Sequence, residues 1–153
     1  MELTTQQLAN QIIANLQANA PGILAQYPVA LAYLHGSVAR CTSRPASDID
    51  IALLLRDTAL SAYEQMKLTI AIEIALETQC GLANLDVRAI NSAPILVQGR
   101  IVQEGIRLYE RDKNERIAFE VLTRKKYFDY LPTAEWMQQA MFDSVRRKGL
   151  SYG

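Results

Sequence analysis

Three apolar runs predict the strands of a buried sheet. They cover residues 29–34, 48–55 and 85–90. The second run begins with Asp48 and Asp50, although a strand that only had to be buried would not carry aspartate twice. These two residues therefore indicate chemistry as well as packing.

Helical periodicity precedes the first of these runs. Thr4 and Gln7 have the spacing of a capping box, in which each residue satisfies a free amide of the other. The apolar residues that follow predict a helix over residues 4–19. Pro21 and Gly22 are expected to close it.

A long helix is predicted between the second and third strands. Asp57 and Thr58 are its expected caps, and it runs to about residue 78. Its apolar positions on one side are Ala62, Met66, Ile70 and Ile74. After the third strand, residues 93–103 predict a short helix and residues 106–109 a brief edge strand.

The end of the chain is predicted to be a helical hairpin. Asp112 and Glu115 form a second capping-box pattern. Pro132 is expected to break the helix that follows, and Thr133 to cap a final one. Both helices carry an apolar stripe. The stripe of the first helix is Ile117, Val121 and Phe128. The stripe of the second helix includes Trp136, Met137 and Met141, and we expect these residues to pack in the core.

Together these elements predict one α/β domain (α+β) that spans residues 1–153. Strands separated by long helices favour a parallel or mixed sheet, so we expect a small mixed sheet flanked by helices. The core of the domain would cover about residues 25–110. The hairpin, about residues 112–149, would pack on it.

Composition narrows the class of protein. Lys plus Arg and Asp plus Glu both number 16, so the formal net charge is zero. Direct nucleic-acid binding is not expected, because it needs a basic surface. No uncharged apolar run approaches the roughly 20 residues that span a bilayer, and no signal peptide is expected at the start. With only Cys41 and Cys80, which suggest neither a metal pair nor a disulfide framework, we expect a cytoplasmic protein without membrane contact.

The chemistry centres on the paired aspartates. Residues two apart in a strand share a face, so Asp48 and Asp50 should project side by side. Two carboxylates about 4 Å apart repel by roughly 4 kcal/mol at an effective dielectric of ~20. A hard divalent cation with oxygen ligands would relieve that repulsion.

A phosphate cradle is predicted just before this pair. Glycine at position 36 allows a close approach of the backbone to a ligand. Ser37 begins a short helical turn whose free amides suit a phosphate, and Arg40 adds positive charge one turn later. Asp86 on the third strand supplies a further carboxylate, which could bind metal and accept a proton from an attacking hydroxyl.

These residues carry a family resemblance. Gly36-Ser37, then residues 38–47, then Asp48-Ile49-Asp50 resemble the motif of the polymerase-beta-type nucleotidyltransferases, with Asp86 as the later strand aspartate. The small size of the chain is similar to that of the minimal nucleotidyltransferases, in particular the antitoxins paired with HEPN ribonuclease toxins. Cys41 is a departure, because many such motifs have a glycine there.

The resemblance implies a nucleotidyltransferase fold and an Mg²⁺-dependent enzyme that moves AMP from ATP to a tyrosine of a HEPN toxin. It implies that Asp48, Asp50 and Asp86 are catalytic and hold the metal, with Asp86 activating the acceptor. The nucleotide would be bound by the other residues of the motif: Gly36, Ser37, Arg40 and Ser47. The implied partners are the nucleotide and a cognate toxin, with which the chain could form a hetero-oligomer.

Two alternatives stay open from the sequence. One is a small-molecule nucleotidyltransferase of the aminoglycoside type, although such enzymes usually have an additional domain that closes over the acceptor. The other is a non-catalytic subunit that neutralises a toxin by binding it stoichiometrically. The intact carboxylates argue against this second alternative.

Overall fold

A computed structural model describes residues 2–42, 47–56 and 59–148. Four strands in these residues form one sheet in the order β3-β2-β1-β4. They are β1 (Val29–His35), β2 (Ile49–Leu55), β3 (Leu85–Ala89) and β4 (Ile106–Glu110). Because β1 is antiparallel to β2 and β4 while β2 and β3 are parallel, the predicted mixed sheet is confirmed.

The same part of the chain contains five helices. They are α1 (Thr5–Leu24), α2 (Gly36–Ala39), α3 (Ala62–Cys80), α4 (Ile95–Glu104) and α5 (Lys113–Lys148). None of the helices in the described residues is both long and apolar enough to cross a membrane.

The three predicted buried strands agree with the structure to within one residue at each end, and the predicted edge strand is β4. The capping box of Thr4 and Gln7 is present in both directions, at 2.9 and 3.1 Å. The cap of α3 is Ser61, whose side chain accepts from the amide of Glu64. The expected caps Asp57 and Thr58 lie outside the described residues.

The sheet has two faces with different neighbours. The first face carries Leu34, Ile51 and Val87 into a large apolar core with α1 and α3. The second face carries Tyr33 and Ala52 into a smaller core with α4 and α5. This smaller core covers only part of the second face, so the carboxyl end of β1 and the amino ends of β2 and β3 stay accessible there.

A buried polar contact ties α5 to the second face. The hydroxyl of Tyr33 donates to Oε1 of Glu120 at 2.7 Å, and both side chains are buried. Arg116 donates to Oε2 of Glu120 at 3.1 Å and also to Glu110 of β4. Burial, and then the bond to Glu120, raise the pKa of Tyr33 above its ordinary value. Both carboxylate oxygens of Glu120 thus have a partner, as a buried carboxylate requires.

The prediction that Pro21 ends the first helix is wrong. The helix continues to Leu24 with Pro21 inside it. Proline has no N–H for the carbonyl four residues earlier, but Ala20, Ile23 and Leu24 are buried in the core. Packing of this last turn therefore outweighs the one missing hydrogen bond.

The predicted C-terminal hairpin is also wrong, because α5 is a single helix of 36 residues with Pro132 inside it. A hairpin needs a loop, and the residues next to Pro132 supply none of the glycines that would form one. The following segment is rich in Ala, Met and Gln, which favour helix. The second half therefore continues outward, and Trp136 and Met141 are 71% and 60% exposed rather than in the core.

Two apolar stripes face away from the sheet. In α3 the core residues are Ile72, Leu76 and Cys80. The stripe that the sequence indicated is exposed instead, with Met66, Ile70 and Ile74 at 51%, 46% and 57%. In α5 the exposed stripe is Ile117, Val121 and Phe128, while Glu120 and Thr123 are buried. Both helices carry apolar residues on more than one side, so periodicity alone could not select the buried one.

The contact between Tyr33 and Glu120 gives a test of how α5 is held. Tyr33→Phe leaves the buried Glu120 oxygen without its hydroxyl donor, which should lower the free energy of unfolding by about 1–3 kcal/mol. Tyr63→Phe is the matched control, because Tyr63 is 64% exposed and should change stability by less than about 0.5 kcal/mol. Urea denaturation followed by circular dichroism measures both variants. Equal stabilities for the two would contradict a structural role for this hydrogen bond.

Candidate active site

Two of the three predicted catalytic aspartates are neighbours on the second face of the sheet. Asp50 of β2 lies beside Asp86 of β3 in the parallel register and opposite His35 of β1. Matched residues on adjacent strands are about 5 Å apart. Asp48 is exposed directly before β2, and its charge acts on Asp50. The structure therefore brings Asp50 and Asp86 together, with Asp48 at their margin.

The backbone at Gly36 lies against the Asp50 carboxylate. Gly36 has a φ of +76°, and a Cβ there would overlap the carboxylate and lie 3.2 Å from Cγ of Asp50. Only glycine fits both the conformation and the space. The chain consequently passes from β1 into α2 directly over the acidic residue.

The turn after Gly36 is held by backbone bonds. The amide of Arg40 donates to the carbonyl of Gly36 at 3.2 Å, and the amide of Thr42 donates to that of Ser37 at 2.8 Å. Cys41, between them, has a φ of +56°. This left-handed conformation explains why glycine is the easier residue at the position where the sequence departs from the family pattern.

The electrostatics of the site reflect its crowded carboxylates. Burial is the largest cause that raises the pKa of Asp50, the nearby His35 opposes it, and Asp86 and Asp48 raise it further. Burial lowers the pKa of His35, against the pull of Asp50 and Asp86. The ionised form of Asp50 is thus disfavoured in the folded chain, and a cation at this place would stabilise it.

Asp86 has a partner that the sequence analysis missed. Nε of Arg88 donates to Oδ1 of Asp86 at 3.1 Å. Arg88 is two residues further along β3, so the alternation of side chains along the strand would have placed both on one face. The exposed guanidinium orients the carboxylate before any ligand is present.

Glu73 is a second residue with an unexpected contact. It lies on α3 and is half-buried, and its Oε1 accepts from the amide of Val87 at 3.0 Å. Because β3 is at the edge of the sheet, this bond satisfies an amide that has no neighbouring strand. The side chain of Asn91 extends the pairing of β3 with β2. Its Oδ1 accepts from the amide of Leu55 at 2.9 Å, and its Nδ2 donates to the carbonyl of Leu55 at 2.8 Å. These contacts fix β3, and with it Asp86.

The carboxylate oxygens of Asp48, Asp50 and Asp86 are of the type that binds a hard cation. Oxygen ligands of this kind bind Mg²⁺, which usually takes a few carboxylates and leaves the rest of its sphere to water and phosphate. In the described ranges no group of three or more His, Cys, Asp or Glu side chains is arranged to hold a metal ion. The bond from Arg88 to Asp86 and the marginal position of Asp48 are consistent with that finding.

A cavity of about 440 Å³ adjoins the carboxylates. His35, Gly36 and Arg40 line one side of it, and Leu96, Val97 and Arg100 of α4 line the other. Of the predicted nucleotide contacts, Gly36 and Arg40 lie on its wall, whereas Ser37 and Ser47 do not. No sequence pattern indicated this space, because it forms between helices distant in the chain.

Solved structures with this architecture include several complexes. No curated protein sequence matches the chain. A chain of a toxin–antitoxin structure with AMP-PNP is 27% identical, with a TM-score of 0.56, and the match covers 90% of this chain and 98% of that one. A structure of tri-AMPylated Shewanella oneidensis HEPN toxin with MNT antitoxin gives 26% identity, a TM-score of 0.51, and coverage of 94% and 99%. The MntA-HepT toxin–antitoxin structure gives 28%, 0.51, and coverage of 92% and 99%.

A family model covers the region that contains the site. The model described as polymerase beta, nucleotidyltransferase matches residues 19–114. That range includes the whole sheet, Gly36-Ser37 and the three aspartates. Fold and motif agree with the match, and the chain belongs to the polymerase beta nucleotidyltransferase family.

Proposed function

We propose that this protein is an antitoxin adenylyltransferase, which transfers AMP from ATP to a tyrosine hydroxyl of a HEPN ribonuclease toxin. The observation that carries the proposal is the alignment of Asp50 with Asp86 directly beneath Gly36. This arrangement combines an acidic pair with a backbone that can approach a phosphate closely. Nucleotidyl transfer needs both features at one place.

The transfer reaction assigns a role to each group. The acceptor oxygen attacks the α-phosphorus, a new oxygen–phosphorus bond forms, and the bond from that phosphorus to the bridging oxygen breaks to release pyrophosphate. We assign the proton of the acceptor hydroxyl to the carboxylate of Asp86. The hydrogen bond from Arg88 holds this carboxylate in orientation. Gly36, Ser37, Ser47 and Arg40 are proposed to bind the nucleotide.

Asp48 and Asp50 are the proposed magnesium ligands, with Asp86 as the third. When bound, the ion would supply charge stabilisation for the phosphate oxygens. The chain's own contribution is to gather carboxylates at a place where burial raises the pKa of Asp50 and nearby carboxylates raise it further. That accumulated negative charge is the physical reason to expect a cation there.

The partner is proposed from the similar structures. Three of them are toxin–antitoxin complexes, one with AMP-PNP and one with a tri-AMPylated HEPN toxin. The carboxylates here lie on a face that α4 and α5 cover only in part. An acceptor can therefore reach them from outside the chain, and a toxin would also exclude water from the reaction. A hetero-oligomer with the toxin follows from this proposal.

Modification of the toxin separates the enzyme from the alternatives. With ATP, Mg²⁺ and the proposed HEPN toxin partner, wild type should add AMP mass to the toxin and end its RNA cleavage. Asp48→Asn/Asp50→Asn should still bind the toxin but add no mass, because the proposed metal ligands are gone. Intact-mass spectrometry and a cleavage assay measure the two effects. Full neutralisation by the double variant with no added mass would support the stoichiometric subunit instead.

Gly36 tests the proposed phosphate contact. Gly36→Ala forces a Cβ into the Asp50 carboxylate and a side chain onto a φ of +76°. We expect transfer to fall by about 100-fold, because a displacement near 1 Å at a reacting centre has that effect. Gly22→Ala is the control, since nothing lies within 4 Å of its Cβ position. Initial rates of AMP transfer measure both, and near-wild-type rates in Gly36→Ala would contradict the assignment.

The raised pKa of Asp50 has a consequence for stability. The folded chain holds the proton of Asp50 more tightly than the unfolded chain does. This group therefore contributes stability at low pH, and the contribution is lost as pH rises from the unfolded pKa through the folded one. Without Mg²⁺, Asp50→Asn should be more stable than wild type at neutral pH, and the difference should shrink in acid.

Urea denaturation across this pH range measures the effect. Asp129→Asn is the matched control, because Asp129 is exposed on α5 and its substitution should change little at any pH. A lower neutral-pH stability for Asp50→Asn than for wild type would show that the carboxylate stabilises the fold.

A further inference from the structure

The face of α5 that packs on the domain continues beyond the part that is covered. Its side chains recur every three or four residues, and the first ones are buried or half-buried: Glu120, Thr123, Tyr127, Leu131 and Ala134. Tyr127, for example, lies directly against Gly99 of α4. The same spacing next reaches Gln138, Met141 and Val145, all of which are exposed. The face thus stays apolar at Met141 and Val145, although each of these two residues is 60% exposed.

Residues 135–148 form the exposed end of α5 and are called the arm below. The arm is about 21 Å long at 1.5 Å per residue, and every residue from 135 to 142 is exposed. Its large apolar residues are all at least half exposed: Trp136, Met137, Met141, Phe142 and Val145. Most of the stability of a helix in a protein comes from packing of its apolar face. Contiguous exposed apolar residues of this kind mark an interaction surface.

The accessible surface of the whole chain is large enough for such an interaction. The chain exposes 9665 Å², whereas a folded monomer of 17.1 kDa typically exposes about 7,800 Å². The excess of about 1,900 Å² is larger than the roughly 800 Å² that each partner buries in an interface of standard size. The area that a stable dimer needs is therefore present.

The charges of the arm favour a second copy of the same chain as the partner. Glu135 and Arg146 are three helical turns apart, so they lie on the same side of the arm. When two arms pair antiparallel with their centres near Met141, Glu135 of each copy meets Arg146 of the other. A parallel pair would instead place each charge opposite its own kind. The arm is thus complementary to itself in the antiparallel orientation.

From these observations we propose that the arm is a self-association surface, through which two copies of the chain form a symmetric dimer with antiparallel arms. Met137, Met141 and Val145 form the apolar seam of this dimer. Two ion pairs between Glu135 and Arg146 flank the seam. The dimer needs neither nucleotide nor toxin, so its test is separate from that of the proposed transfer reaction.

Sedimentation velocity of the full chain over a range of about 1–100 µM tests the dimer. Wild type should pass from monomer to dimer as its concentration rises. Met141→Glu/Val145→Glu brings charge into the apolar seam and should raise the dimer Kd by at least about 100-fold. Met66→Glu is the matched control, because Met66 is 51% exposed on α3, outside the arm, and its substitution should leave Kd unchanged. Thermal unfolding should show both variants folded, and a wild type that stays monomeric throughout would overturn the proposal.

An exchange of charges distinguishes this arrangement from unspecific adhesion of apolar helices. Glu135→Arg and Arg146→Glu should each weaken the dimer by about 10-fold, because like charges then meet across the pair. Glu135→Arg/Arg146→Glu restores both ion pairs and should return Kd to near the wild-type value. A double variant as weak as the single ones would overturn the antiparallel pairing. A monomeric wild type whose binding to the proposed toxin is lost in Met141→Glu/Val145→Glu would assign the arm to the toxin and overturn the dimer.

Discussion

The antiparallel register of β1 and β2 determines both the core and the site. Leu34 lies opposite Ile51, and both enter the large core of the first face. One position further, His35 lies opposite Asp50 on the other face. A slip of one residue would exchange the two faces and bury Asp50 among aliphatic side chains, without a partner for its charge. The apolar residues that stabilise the sheet are therefore also the ones that hold the carboxylate at the surface.

The site itself opposes stability. Asp50 is partly removed from water beside two other carboxylates, and Gly36 holds a positive φ against it. Cys41 adds a further left-handed residue in the same turn. Strained backbone of this kind persists only where the surrounding structure holds it. Here the support is the fully buried aliphatic core on the opposite face, which includes Leu34, Val38 and Ile51.

Features that depend on local sequence were predictable. The strands followed from apolar runs, and the alternation of side chains along a strand places Asp50 and Asp86 on the face away from Ile51 and Val87. The spacing from Gly36 to Asp50 then indicated the site. Features that depend on distant partners were not predictable. Glu120 is buried because Tyr33 and Arg116 bind it, and the cavity exists only after α4 packs near α2.

The two helices that contain a proline, α1 and α5, also show that local sequence does not determine where a helix ends. Pro21 and Pro132 were expected to end helices, because proline removes one hydrogen bond. At Pro21, the buried residues around it outweigh that loss. At Pro132, no loop residues follow, so the helix extends into solvent. A proline therefore sets a local cost of about 3 kcal/mol, and the environment decides whether the helix stops.

The hydrogen bond that the amide of Val87 donates to Glu73 also bears on how the protein avoids self-association through the edge of its sheet. An edge strand exposes amide and carbonyl groups that can pair with a strand of another molecule. In β3, a side chain of the same chain already occupies one of those amides. The strand is also only five residues long and carries the charged, exposed Arg88. These features make β3 a poor template for intermolecular β-pairing, so the edge that presents Asp86 is protected against aggregation.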